Sequence, residues 1–122
     1  MHIIVVDTNV IVSAMKSVFG KPAKILNMIF DKEIQIYYSI GIMEEYIDVL
    51  SRPKLNIKAS IQSDIISAIQ RFGIMIEPSV SDVPMLDEDD RIFYDAAKEA
   101  GAILITGNTK HYPTESFIMT SM

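Results

Sequence analysis

Short apolar runs alternate along this chain with longer stretches in which apolar residues recur every three or four positions. The first run, "IIVV" at residues 3–6, is continuously β-branched and reads as a strand buried on both faces. A helix is predicted over residues 9–17, broken by "FGKP". Pro22 suits the first turn of a second helix ending near residue 31. Residues 34–38 form a second strand, and Ser39 caps a third helix that ends near Ser51, ahead of Pro53. A fourth helix spans residues 60–72 and is stopped by Gly73. A short strand at 74–76 and a loop over 80–86 containing Pro84 follow. The fifth helix covers residues 90–100 and ends at Gly101; "AILIT" and "FIMT" are the last two strands.

This alternation implies one α/β domain over residues 1–122, a parallel sheet with helices on both faces. Such sheets carry their sites beyond the carboxyl ends of the strands, near the point where strand order reverses. Asp7 directly follows the first strand and falls at such a position. It also suits the N-cap of the next helix, and capping leaves carboxylate lone pairs for a metal.

Helical wheels at about 100° per residue sort the other acids. In "SIGIMEEYIDVLSRPKL", Asp48 is central to the polar half, while Glu44 and Glu45 border the apolar face from opposite sides. Periodicity leaves the choice between those two open. In "LDEDDRIFYDAAKEAG", Asp90 falls between Ala97 and Tyr94, inside the apolar face of the first turn, where the helix N-terminus favours its charge. Asp87 and Asp89 read as capping or loop residues, and Asp95 and Glu99 as the flank of the exposed face. After "AILIT", Thr106 and Asn108 lie where another strand ends. Asn108 can orient water or ligate a hard cation through its carbonyl oxygen; equally, Gly107 and Asn108 can supply a turn's unusual backbone angles.

Composition narrows the chemistry. Hydrophobic residues are 49% of the 122, enough for a single core. No apolar run approaches the about 20 residues of a membrane span, and the opening strand has no leader pattern before it, so no signal peptide is expected. The absence of cysteine excludes disulfides and thiolate metal sites and suits a cytoplasmic protein. The net charge of −5 is concentrated between Glu77 and Glu99, where eight acids meet two bases. That balance disfavours binding nucleic acid by bulk backbone neutralisation. It permits a small anionic site that recruits divalent cations. His2 and His111 do not have the spacing of a ligand pair, and the eight methionines read mostly as core filler.

"VVDTNVIVSA", "EEYIDVLSRPKL", "DEDDRIFYDAAKEAGA" and "LITGNTKHYP" together resemble the PIN domain family, in order and approximate spacing, over nearly the whole chain. The nearest likeness is to the branch of toxin components of toxin–antitoxin systems, distantly similar to VapC toxins. The resemblance implies a three-layer α/β/α sandwich with a central, mainly parallel sheet, and a metal-dependent endoribonuclease. It matches the family's first acidic position to Asp7, with Asn9 in its motif, the helix glutamate to Glu45, and the third acid to Asp90. The fourth position, often aspartate, is Asn108 here, a departure that removes a charge and weakens a second metal position. The implied chemistry is hydrolysis of an RNA phosphodiester, with Asp7, Glu45 and Asp90 gathering one or two Mg²⁺ or Mn²⁺ ions and no side-chain nucleophile. Lys16, Lys21 and Lys24 are candidate phosphate contacts.

Two other readings compete. A haloacid-dehalogenase-type phosphatase needs a second aspartate where Asn9 stands. A catalytically weakened PIN domain acting as a binding or regulatory protein is favoured by Asn108 and opposed by Asp7, Glu45 and Asp90. The resemblance also implies a cognate antitoxin and a homodimer or higher homo-oligomer. Ile, Met and Tyr at the borders of the third and fourth helices are expected to supply that interface.

Overall fold

A computed structural model describes residues 2–121. The elements run β1 (His2–Val6), α1 (Thr8–Lys16), α2 (Lys21–Phe30), β2 (Ile34–Tyr38), α3 (Ile40–Leu50), α4 (Ala59–Phe72), β3 (Ile74–Met75), α5 (Arg91–Ala100), β4 (Ile103–Thr106) and β5 (Ile118–Thr120). Every strand and helix expected from the pattern is present, with ends shifted by a residue or so. Three 3-10 turns, at Pro53–Leu55, Glu88–Asp90 and Thr109–His111, add structure that apolar periodicity does not signal.

All strand pairs are parallel, in the order β3-β2-β1-β4-β5. The chain builds outward from β1 through β2 to β3, then crosses back through α5 to lay β4 on the other side of β1. Strand order therefore reverses between β1 and β4, where Val6 pairs with Ile105. The crevice beyond these two strand ends is the switch point of the sheet. Val5 and Val6, successive residues pointing to opposite faces, are both fully buried. Helices thus cover both faces, giving the three-layer α/β/α sandwich.

Caps fix where the helices begin. The Ser39 hydroxyl accepts from Ile42 N–H at 3.2 Å and starts α3. Pro22 lies in the first turn of α2. α5 ends on Gly101, left-handed at φ 64°, as expected of a C-terminal glycine. Gly73 ends α4 for a different reason. Its φ is −89°, so handedness is not the constraint. A Cβ there would lie 2.5 Å from the Ile69 carbonyl oxygen and 2.8 Å from the Tyr38 ring. Gly73 is needed for space where α4 turns into β3.

Between β3 and α5 the chain forms an irregular strap. Val83 and Met85 pack against the core. Arg91 ties the strap down, donating from Nη1 to the carbonyl and hydroxyl of Ser81 at 2.9 and 3.1 Å. The Arg91 guanidinium also grips Glu88 through Nε and Nη2, both at 2.8 Å. Asp95 corrects an expectation. The helical pattern puts it on the exposed flank of α5, yet it is buried, and its Oδ2 accepts from Ser81 N–H at 3.0 Å. The strap covers that flank, which a wheel drawn for one helix cannot show.

Among the described residues no helix is long and apolar enough to cross a membrane. Space at Gly73 gives a stability test. Gly73→Ala should lower the thermal midpoint, at a cost of about 1–3 kcal/mol from overpacking. Gly41→Ala should be neutral or slightly stabilising, because a Cβ there meets nothing closer than Ile92 at 3.7 Å and alanine favours the helix. Thermal denaturation of the two variants side by side checks both.

Candidate functional site

Asp7 sits where β1 ends and α1 begins, and it is buried. Its own N–H donates to the Ile105 carbonyl at 2.9 Å, which extends the β1–β4 ladder by one bond. The carboxylate caps α1, with Oδ1 accepting from Asn9 N–H at 3.4 Å. Oδ2 accepts from two hydroxyls, Tyr112 at 2.7 Å and Thr106 at 3.0 Å. A buried carboxylate needs such donors, because without them its desolvation costs several kcal/mol.

Glu45 lies on α3 and is half-buried, whereas its neighbour Glu44 is exposed. The hydroxyl of Thr8 donates to Glu45 Oε2. One helical residue further, the Tyr46 hydroxyl donates to the carbonyl of Val6, so α3 is tied to the end of β1 beside Asp7. Burial raises the Glu45 pKa, the bond from Thr8 opposes that rise, and the charges of Asp7 and Asp89 add to it.

Asp90 ends the 3-10 turn Glu88–Asp90 and precedes α5, which starts at Arg91. Its side chain makes no capping bond. Oδ2 is buried without a hydrogen-bond partner and faces His111 Nδ1 at 3.9 Å. Burial, then the charges of Asp7 and Asp87, push the Asp90 pKa up to about 6; His111 opposes the rise and Glu45 adds to it. Asp87 also caps the turn, accepting from Asp89 N–H at 3.0 Å.

Asn108 lies past β4, and its N–H donates to Thr106 Oγ1 at 3.1 Å. The neighbouring Gly107 N–H donates to Asn9 Oδ1 at 3.0 Å. Neither Gly107 nor Asn108 adopts a positive φ, so unusual backbone angles are not the reason for these residues. Asn9 and Asn108 together line a depression of about 380 Å³ with Ser13, Ser17, Pro22 and Ser121.

The structure thus brings Asp7, Glu45 and Asp90 within electrostatic reach of one another at the switch point. Among the described residues, no three acidic or imidazole side chains are grouped closely enough to hold one ion. The fit to a hard divalent cation is one of donor type and charge. All the candidate donors are oxygens, Asp90 Oδ2 is orphaned, and Asp7 Oδ1 carries only a long bond. Lys21 and Lys24 are exposed; Lys16 lines a separate apolar groove of about 430 Å³ with Val12, Met15 and Ile61.

Thr8 and Tyr112 escaped the sequence reading. Thr8 lies between two residues of the "DTN" motif, so its proximity to Asp7 was visible but its reach to Glu45 was not. Tyr112 belongs to "KHYP", 105 residues from Asp7. Burial and the adjacent Asp7 charge raise its phenol well above the ordinary range, so it stays a donor.

Residues 3–110 match the PIN domain family, and the chain belongs to it. It is 35% identical over 108 residues to the uncharacterized protein MJ1680 of Methanocaldococcus jannaschii, an alignment covering 86% of this chain and 70% of that one. Its fold is similar to a chain in the crystal structure of VapBC2 from Rickettsia felis bound to a DNA fragment from their promoter. That match has a TM-score of 0.62 and 16% identity, and covers 97% of this chain and 96% of the other. At that identity the likeness is one of fold. The resemblance carried by the four sequence blocks is borne out in family and architecture.

The raised Asp90 pKa gives a pH prediction with a definite sign. Without divalent metal, the folded protein binds this proton more tightly than the unfolded chain, where aspartate titrates near about 3.9. The stability contributed is complete below that value and is lost as pH rises through about 6. Asp90→Asn should remove this component. In metal-free buffer its thermal midpoint should gain on wild type between about pH 4 and about pH 7. Parallel pH curves that never converge or diverge would contradict the assignment.

Proposed function

We propose that this PIN domain is a divalent-metal-dependent endoribonuclease, the toxin of a toxin–antitoxin pair. The observation that carries the reading is that Asp7, Glu45 and Asp90 lie within electrostatic reach of one another at the β1–β4 switch point, with the carboxyl pKa raised at Glu45 and Asp90 and an orphaned Asp90 oxygen. Like charges held together at a strand edge destabilise the empty fold, and a cation relieves them. Asp7, Glu45 and Asp90 would hold Mg²⁺ or Mn²⁺, whose oxygen preference they meet. Such an ion supplies positive charge against the scissile phosphate and acidifies water.

The chain's own residues supply the rest. Thr8, Thr106 and Tyr112 orient the carboxylates. Asn108 contributes a neutral amide at the rim, beside the depression it shares with Asn9. Lys21 and Lys24, exposed on α2 beside Pro22 in sequence, are candidate phosphate contacts for an RNA strand. The likeness to a VapBC2 structure supports a cognate antitoxin partner.

A second reading, a PIN domain that binds without cutting, is favoured by the neutral Asn108 and by carboxylates that do not converge on one point. Cleavage of a single-stranded RNA across a Mn²⁺ titration decides between them. Wild type should cleave slowly at low Mn²⁺ and faster as it is added. Asp90→Asn should abolish cleavage, and Asn108→Asp should lower the Mn²⁺ needed several-fold. If wild type never cleaves and Asn108→Asp does, the binding reading wins; cleavage by Asp90→Asn at the wild-type rate would sink the site.

Self-association belongs to the same reading. Met43 and Tyr46, expected at an interface, are buried, which leaves Ile40 and Ile47 of α3 and Ile61 of α4 as the exposed apolar residues there. A homodimer through these helices should scatter light with twice the 13.7 kDa of one chain. Ile47→Asp should shift it to monomer.

A further inference from the structure

Tyr112 does more than fill a gap behind the acidic edge. Its hydroxyl and that of Thr106 both donate to Oδ2 of Asp7, at 2.7 and 3.0 Å. Thr106 Oγ1 itself accepts from Asn108 N–H at 3.1 Å. With that lone pair used, the single hydroxyl proton of Thr106 is directed at Asp7. Two donors thus occupy Oδ2. Oδ1 holds only the Asn9 N–H at 3.4 Å, longer than the about 2.7–3.2 Å of a good N–H···O bond.

We infer that Tyr112, seconded by Thr106, is a positioning residue that fixes the Asp7 carboxylate so that Oδ1 is the oxygen offered to a divalent cation. The inference rests on the metal-dependent reading above. Aspartate χ2 is a soft, roughly two-fold torsion. An unanchored Asp7 would exchange its two oxygens and spread over orientations. Two hydroxyls on one oxygen remove that freedom before any cation arrives. Glu45 follows the same scheme with one donor, Thr8 on Oε2. Asp90 has no such hydrogen-bond donor on Oδ2, only His111 Nδ1 at 3.9 Å.

The consequence is a link between the loop after β4 and the site. The 3-10 turn Thr109–His111 leads into Tyr112, whose ring is buried. The turn, closed by His111 N–H on the Asn108 carbonyl and Tyr112 N–H on the Thr109 carbonyl, sets the phenol against Asp7 and His111 beside Asp90. One loop thus touches two acidic positions that lie on different elements. Outer-sphere donors of this kind commonly account for about 10–100-fold in metal affinity.

The test is isothermal titration calorimetry with Mn²⁺ on the full chain. Tyr112→Phe keeps the ring and removes only the donor; Thr106→Val keeps shape and removes the other. Each should weaken Mn²⁺ binding by about 10-fold, while Thr106→Ser, which restores a hydroxyl, should return to near the wild-type constant. Circular dichroism confirms that each variant is folded, and Thr106→Val carries the test if Tyr112→Phe is not. Wild-type affinity in both Tyr112→Phe and Thr106→Val would overturn the positioning role while leaving the metal site intact. Wild type that binds neither Mn²⁺ nor Mg²⁺ would overturn the metal-dependent reading and this inference together.

Discussion

A carboxylate buried at the end of the central strand is the constraint around which this fold is arranged. Asp7 is almost wholly withdrawn from solvent, and each of its neighbours answers a need that its charge creates. The start of α1 offers Asn9 N–H, and β4 offers Thr106. The loop beyond β4 returns to offer Tyr112. The third requirement is topological. It is met only because β4 lies beside β1 and the chain after β4 folds back over the strand ends. Strand order and loop direction are thus part of how one charge is tolerated.

The second level of organisation is repulsion. Glu45 and Asp90 reach the same edge from α3 and from the turn before α5, and both carboxyl groups are held above their ordinary range. Something must hold these elements close against that tendency. For α3 it is Tyr46, fully buried, whose hydroxyl seeks the carbonyl of Val6. For Asp90 it is the clasp of Arg91 on Glu88 and Ser81, with Asp95 taking the Ser81 N–H from beneath. Asp95 keeps one buried oxygen without a partner. A strap pinned by a charged pair and a half-satisfied carboxylate holds the acidic turn in place, with Asp90 Oδ2 left without a hydrogen-bond partner.

The sequence made much of this readable. β-branched runs and three-to-four-residue periodicity located every strand and helix, because each element's burial follows from its own pattern. The same phase anticipated the partial burial of Asp90, but not that the residue ends a 3-10 turn before α5 and makes no capping bond to that helix. What stayed hidden depends on a second element. A wheel for α5 cannot know that a strap covers Asp95. The spacing of "EE" on α3 cannot show that Thr8 reaches Glu45, since that bond spans 37 residues. Gly73 looked like an ordinary helix stop, yet its role is to admit the Tyr38 ring from β2. Tyr112 carried no signal at all beyond its place in a polar loop. Contacts within an element were legible; contacts between elements waited for the fold.

Asn108 is best understood against this electrostatic background. An aspartate there would add a charge to an edge where Glu45 and Asp90 already resist ionisation. It would do so next to Thr106, whose hydroxyl is committed to Asp7 and accepts the Asn108 N–H. Neutrality at this position lowers the repulsion that the empty fold must bear. It also lowers the pull on a cation, since fewer charges attract it. The two effects have one origin and opposite signs. Under the proposed metal-dependent reading, the residue at the fourth position would set the balance between a site that is stable when empty and one that fills at low metal concentration. The hydroxyl donors on Asp7 shift that balance differently. They orient a charge already present without adding another, so they strengthen the site's definition without raising the repulsion.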